Sequence, residues 1–173
     1  DAVRRKVSAL LDHPDGEPLA GVWIQDWVGR RDTGFGSRLW WTWELDEEHY
    51  PGWDDLTAEL AARGVRTLTY VNPFLVDPRG KPSPVVRDLF AEAADLGHLV
   101  RDASGGPYLL NQGGFDAALV DLTRPEARKW FAKVISRQVA PRASGGWMAD
   151  FGEGLPFDAV LAEGDPATMH NRW

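Results

Sequence analysis

The chain has 173 residues, 19 Lys and Arg against 26 Asp and Glu, a net charge of −7, no cysteine and nine tryptophans. That length holds about one domain; with 43% hydrophobic and 26% charged residues it has the make-up of a folded globular chain rather than a disordered one. The missing cysteines exclude disulfides, thiolate zinc sites and a cysteine nucleophile, and the acidic balance speaks against a nucleic-acid surface, which needs a basic stripe.

Val3, Val7, Leu10 and Leu11 recur at helical spacing and predict an amphipathic helix over residues 1–12, broken by His13-Pro14-Asp15-Gly16. Gly21 to Ile24 reads as a short buried strand that runs into Gln25-Asp26. A long loop rich in Gly, Arg and Trp is expected from there to about Tyr50. Trp53-Asp54-Asp55 opens a helix that continues through Ala62 and stops at Gly64. Val65 to Val71 is a strand ended by Asn72-Pro73. Ser83-Pro84 is expected to start a helix with Val85, Leu89, Phe90 and Ala93 on one face, stopped at Gly97. The stretch 99–110, with Gly105-Gly106-Pro107 inside it, reads as a small hairpin. Ala117 to Val120 is a strand ending at Asp121. Thr123-Arg124-Pro125-Glu126 resembles a capping box with Thr123 as the cap, opening a helix to about Val139. Gly145 to Ala149 is a strand ending at Asp150, and His170-Asn171 is expected to begin a last helix.

Strands alternating with helices imply parallel strands with helical crossovers, in a doubly wound sheet or a (β/α)8 barrel. No G-x-G-x-x-G turn opens a helix, which counts against a nucleotide-binding sheet. Polar residues cluster where strands end, at Gln25 and Asp26, Asn72, Asp121 and Asp150, as at the mouth of a barrel. A whole barrel takes about 250 residues, so the expectation is an α/β fold holding about the first four β/α units of a (β/α)8 TIM-type barrel. There is no apolar leader segment and no run near the about 20 apolar residues of a membrane span. A cytoplasmic protein without membrane contact is expected.

Asp150, mounted at a strand end, is the first candidate nucleophile; a turn or helix-cap aspartate is the structural alternative. Glu153, three residues on, is a candidate to orient it or a plain loop charge. Arg38 lies between Phe35 and the Trp40-Trp41 pair and suits a planar or tetrahedral oxyanion, whereas Arg30 and Arg31 read as solvent-exposed or ion-paired charge. Trp23, Trp27, Trp40, Trp41, Trp43 and Trp53 crowd one stretch, as either an aromatic core or a sugar-stacking surface. His13, His49 and His98 read as structural and His170 stays open. The four histidines make no metal motif such as H-E-x-x-H, so no metal or other cofactor is expected. Nor is there a G-x-S-x-G nucleophile elbow.

The stretches GVWIQDWVGRR (21–31), RLWWTWE (38–44), YPGWDDL (50–56), YVNPFL (70–75), GWMADFGEGLPFDA (146–159) and HNRW (170–173) resemble glycoside hydrolase family 31, and within it the branch that removes α-linked sulfoquinovose, a 6-sulfonated glucose. The resemblance implies a two-step retaining glycosidase. The family's nucleophile is the Asp of its W-M-A-D-F-G-E segment, here Asp150. The branch's sulfonate-reading set is a Gln, an Arg thirteen residues on and a Trp three later, here Gln25, Arg38 and Trp41. Asp26 falls on a position lining the sugar pocket. The implied partner is a small sulfonated sugar glycoside. The acid/base Asp, an N-terminal β-sandwich and the second half of the barrel are expected to lie outside residues 1–173. A family α-glucosidase acting on neutral α-glycosides, and a non-catalytic carbohydrate-binding piece, are the alternatives.

Overall fold

The computed structural model describes residues 2–14 and 18–172. The apolar stripe at the start folds as helix α1 (Ala2–Leu11), with Val7 buried. The breaker positions Asp15 and Gly16, and the last residue of HNRW, lie outside the described residues. Helix α2 (Trp53–Ala62) places Trp53, Leu56 and Leu60 inward and Asp54 and Asp55 in its first turn, where carboxylates complement the helix dipole. It stops where Gly64 takes φ +74°, so that the N–H groups of Gly64 and Val65 reach back to the carbonyls of Ala61 and Leu60. Arg4 with Glu59, and Arg63 with Ser8 and Asp12, tie α1 to α2.

Three strands form one parallel sheet in the order β1 (Gly21–Trp23), β4 (Arg66–Val71), β8 (Gly146–Ala149). Val22 pairs with Thr67, and Tyr70 with Met148. β4 is central and largely buried, as a strand flanked on both sides should be. α2 crosses from β1 to β4, and α4 (Pro125–Val134) leads back towards β8 through a π turn at Ile135–Val139. This is the strand–helix alternation of a parallel α/β fold, left open: β8 exposes Trp147 and Met148 at 41% and 44%. Among the described residues no helix is long and apolar enough to cross a membrane.

Several elements differ from expectation. The Gly/Arg/Trp-rich stretch is not loop throughout but contains a hairpin, β2 (Arg30–Thr33) and β3 (Gly36–Leu39). Its alternation is of charge and small residues, so no apolar period betrays it. The strand at Ala117–Val120 appears as β7 (Asp116–Leu119), but it does not join the parallel sheet. It pairs antiparallel with β5 (Phe74–Leu75) and β6 (Leu109–Asn111), so the β4-to-β8 connection carries a small subdomain, and the parallel strands number three. The small hairpin is present, with Arg101 bridged to Pro107. Helix α3 starts late, at Leu89–Asp95, capped by the Asp88 carboxylate. The Glu44 carboxylate takes the N–H groups of Val86 and Arg87 and holds the preceding residues out of helix. Thr123 does not cap α4; its hydroxyl goes to Asp121, and Arg124 occupies the cap position with its side chain turned to the Gly97 carbonyl instead of the helix. The last helix, α5 (Pro166–Met169), ends at His170 instead of starting there, with Asp165 as its cap.

Asp121 therefore does not stand at the mouth. It is buried and ties loops together, accepting from the backbone N–H groups of Thr123 and Ala162 at 3.0 and 2.7 Å.

Candidate functional site

Asp150 follows the last residue of β8, and its N–H bonds the Val71 carbonyl at 3.1 Å, which extends the β4–β8 ladder by one step. This places its exposed carboxylate at the C-terminal end of the parallel sheet, beside the end of β4. There its Oδ2 accepts a hydrogen bond from the Tyr70 hydroxyl at 3.1 Å. Asn72 Nδ2 lies 3.2 Å from that same hydroxyl, and Asn72 Oδ1 accepts from the Phe74 N–H at 2.9 Å. Burial pushes the Tyr70 phenol above its ordinary value, against the Asn72 hydrogen bond and with the charges of Asp150 and Glu153. Glu153 lines the same pocket as Asp150 but makes no hydrogen bond to it among the described residues; Tyr70 holds that carboxylate instead.

Phe151 adopts φ +58°, in the left-handed region that costs a non-glycine residue about 1–3 kcal/mol. Its ring packs against Trp41 at 5.9 Å and Phe74 at 6.3 Å. Phe151 thereby forms a shared wall between the Asp150 pocket and a larger open cleft of about 920 Å³.

That cleft is lined by Gln25, Asp26, Arg38 and Trp41, together with Tyr50 and Tyr70. The fold thus gathers the three residues of the Gln, Arg and Trp spacing into one concavity. Gln25 follows β1, Arg38 is on β3 and Trp41 leaves the hairpin. Arg38 is exposed, and among the described residues its guanidinium forms no ion pair and one hydrogen bond, at 3.4 Å, to the Ser37 carbonyl beside it. Trp41 is 5% exposed, stacked on Phe74 at 5.2 Å and edge-on to Phe115 at 5.5 Å, and its buried indole N–H has no hydrogen-bond partner among the described residues. Most buried polar groups are satisfied, so an orphaned donor at a cleft wall marks a place for an acceptor. Trp27 and Trp43, by contrast, are fully buried and donate to the carbonyls of Tyr70 and Phe74 at 2.9 Å, so the core reading holds for them.

Asp26 is the most heavily bonded carboxylate of the cleft. Tyr50 donates to its Oδ1 at 2.5 Å, while His49 Nε2 lies 3.0 Å and Arg30 Nε 3.3 Å from its Oδ2. Burial works against its ionisation, but the hydrogen bonds from Tyr50 and His49 and the Arg30 charge outweigh it and hold the carboxyl below its ordinary value. His49, read from sequence as structural, does not line the cleft but holds the Asp26 carboxylate that does. Sequence reasoning also missed Tyr70 and Tyr50, whose partners lie 80 and 24 residues away along the chain. Their only advance signal was that each opens one of the quoted stretches, YPGWDDL and YVNPFL.

Arg31 is half-buried and forms no ion pair among the described residues. Its guanidinium is sandwiched between Trp40 and Phe115, and burial pushes its pKa down to about 10. Behind the hairpin, Asp46 forms a buried cluster with Lys81 and Ser83, at 2.5 and 2.7 Å.

Residues 15–172 match the glycosyl hydrolases family 31 TIM-barrel domain. The chain is 44% identical over 159 residues to the sulfoquinovosidase of Escherichia coli K12, covering 91% of this chain and 22% of that protein. It is 42% identical over 160 residues to the sulfoquinovosidase of Agrobacterium fabrum C58, covering 91% and 23%. Its backbone superposes with a TM-score of 0.85 on a family 31 sulfoquinovosidase from E. rectale solved with the aza-sugar inhibitor IFGSQ, at 38% identity, over 98% of this chain and 24% of that one. The chain thus spans under a quarter of the length of the curated relatives it matches.

Proposed function

The chain belongs to glycosyl hydrolase family 31, and on that footing we propose that it supplies the opening part of the catalytic barrel of a retaining α-glycosidase whose substrates are α-linked sulfoquinovosides. Asp150 is the nucleophile. Its free oxygen bonds to the anomeric carbon as the bond to the leaving oxygen breaks, and that oxygen takes a proton from a general acid carried outside these residues. Water, deprotonated by the same group, then releases the sugar with net retention and restores the carboxylate. The rest of the barrel and an N-terminal β-sandwich belong to other parts of the full-length protein.

The observation that carries the reading is the set of unpaired donors in one cleft. Arg38 brings a positive charge with no carboxylate beside it, and Trp41 brings a buried N–H with no acceptor. Gln25 adds an exposed amide to the same cleft. A sulfonate is a tetrahedral anion with three acceptor oxygens, charged at every working pH. Its oxygens accept from the exposed Arg38 guanidinium and Gln25 amide, and from the Trp41 N–H when that buried donor is uncovered, and an always-charged guanidinium suits it better than a titratable cation. Asp26, held ionised, accepts from sugar hydroxyls on the same wall.

The test is hydrolysis of a chromogenic α-sulfoquinovoside and of the matching α-glucoside by the full-length protein, with product stereochemistry followed by NMR. Retention and a strong preference for the sulfonated substrate are expected. Equal or better hydrolysis of the neutral glucoside refutes the substrate assignment, and inversion refutes the mechanism.

A further inference from the structure

We propose that Asn72 and Tyr70 form a one-directional hydrogen-bond relay that fixes the nucleophile, with Tyr70 touching the reacting carboxylate and Asn72 positioning Tyr70. The proposal rests on the reading of Asp150 as the nucleophile. It begins from register. Tyr70 pairs with Met148 and Val71 with Ala149, so the next step of the ladder sets Asn72 beside Asp150 at the end of the sheet. Side chains two apart on a strand share a face, which brings the amide of Asn72 to the Tyr70 hydroxyl, and that hydroxyl to the carboxylate.

The direction of each bond is fixed by one group that can only donate. The Phe74 backbone N–H lies 2.9 Å from one terminal atom of Asn72, which must therefore be its carbonyl oxygen. The other terminal atom is then the NH2, which has no lone pair to offer. At 3.2 Å from the Tyr70 oxygen it must donate. The phenol oxygen receives that proton and sends its own to Asp150 Oδ2, 3.1 Å away. Three hydrogen bonds thus run in series, and the last of them, from Tyr70, ends on the carboxylate oxygen; bonds aligned in series reinforce one another.

The relay is held rigidly. Asn72 and Tyr70 are 2% and 1% exposed, so water does not compete for the inner bonds. Trp23 and Trp43 pack on the Tyr70 ring, each with centroids 6.2 Å away, and the Trp27 indole N–H holds the Tyr70 carbonyl. The charged groups around the hydroxyl are Asp150 itself and Glu153, with Arg128 lining the same pocket.

With Oδ2 held, Oδ1 is the oxygen left to attack. The relay favours the carboxylate in its charged form, and that charge vanishes when the sugar ester forms and returns as the ester breaks. Its assistance therefore falls mainly on the second step, where the carboxylate is the leaving group. A hydrogen bond to a charged group corresponds to about 10- to 100-fold in rate.

The experiment uses the full-length protein and a chromogenic α-sulfoquinovoside. Tyr70→Phe removes one oxygen and leaves the ring packing in place. It is expected to lower kcat about 10- to 100-fold, to lower KM with it, and to let a covalent sugar adduct accumulate that intact-protein mass spectrometry detects. Asn72→Asp turns the donor into an acceptor and captures the Tyr70 proton, so it is expected to reproduce both kinetic effects. Wild-type kcat with no adduct in Tyr70→Phe overturns the relay, as does an Asn72→Asp enzyme with undiminished kcat. Asp150→Asn in the same assay keeps the two ideas apart. If it retains turnover, the nucleophile assignment is wrong; if it is inactive while Tyr70→Phe is normal, only the relay is wrong.

Discussion

The Arg31 guanidinium lies over the Trp40 ring, 3.4 Å from its centroid, and the opposite face of the same cation is covered by Phe115 at 4.0 Å. Phe115 also packs edge-on to Trp41, so the stack braces the wall that carries the cleft's unpaired indole N–H. Stacking on two rings is worth about 0.5–2 kcal/mol. Arg31→Ala is expected to lower the thermal midpoint of the full-length protein by a few degrees, and Arg31→Lys by less, because lysine keeps the charge but not the plane. Differential scanning fluorimetry measures both. An unchanged midpoint in Arg31→Ala removes the bracing role.

Arg38 is expected to act on selectivity and not on stability. It is exposed and its hydrogen bond is a long one to a neighbouring carbonyl. Arg38→Ala in the full-length protein should reduce kcat/KM for a sulfonated substrate by about 100-fold, the scale of losing a charge-assisted pair of bonds, and leave a neutral α-glucoside nearly unaffected. Parallel assays of the two substrates decide it; equal losses on both count against sulfonate recognition by this residue.

Asp26 gives a pH dependence whose sign follows from its lowered pKa. Its folded-state value lies below the unfolded one because Tyr50, His49 and Arg30 together outweigh the cost of burial. Its contribution is therefore fully present above the ordinary carboxylate range and is lost as pH falls through the lower folded value. Thermal midpoints measured on the full-length protein from pH 6 down through that acid range should drop more steeply for the wild type than for Asp26→Asn. Parallel curves argue against the network.

Much of this arrangement was legible in the sequence, for identifiable reasons. α2 could be bounded because its apolar spacing, its acidic first turn and Gly64 all agree. The strand end at Asp150 could be placed because the apolar run before it lies within the W-M-A-D-F-G-E segment, whereas the run alone, as Asp121 shows, does not say which sheet a strand joins. The β2–β3 hairpin was hidden because Arg30 to Thr33 carries no apolar alternation. Asp121 was misplaced because Ala117–Val120 reads as a buried strand whether its neighbours run parallel or antiparallel. The Tyr70–Asp150 and Tyr50–Asp26 bonds join residues far apart along the chain, and no local pattern encodes them.

Gly29 is the position where a single methyl group should do most damage. It takes φ +85°, and a Cβ there would fall 2.1 Å from Asp46 Oδ2, the oxygen bonded to Lys81 and Ser83. Gly29→Ala meets both backbone strain and the displacement of a buried ion pair, and should destabilise by at least about 2 kcal/mol. Denaturant melts of the full-length protein, followed by tryptophan fluorescence, measure this; a shift under about 0.5 kcal/mol, the size of an ordinary surface change, shows that the cluster can give way.

The subdomain between β4 and β8 has a consequence for how the chain reaches its native state. Tyr70 and Asp150 are 80 residues apart, and the hydrogen bond between them closes only when the whole intervening segment has found its place. Closing so long a loop is entropically costly unless the loop is already compact. The β6–β7 hairpin, whose strands are close in sequence, and the β5–β7 pairing, which joins Phe74 to Leu119, together hold that long segment compact and so lower the cost of closing it. The Tyr70–Asp150 bond therefore joins the two ends of a long excursion of the chain, and its presence depends on the whole subdomain between them being in place.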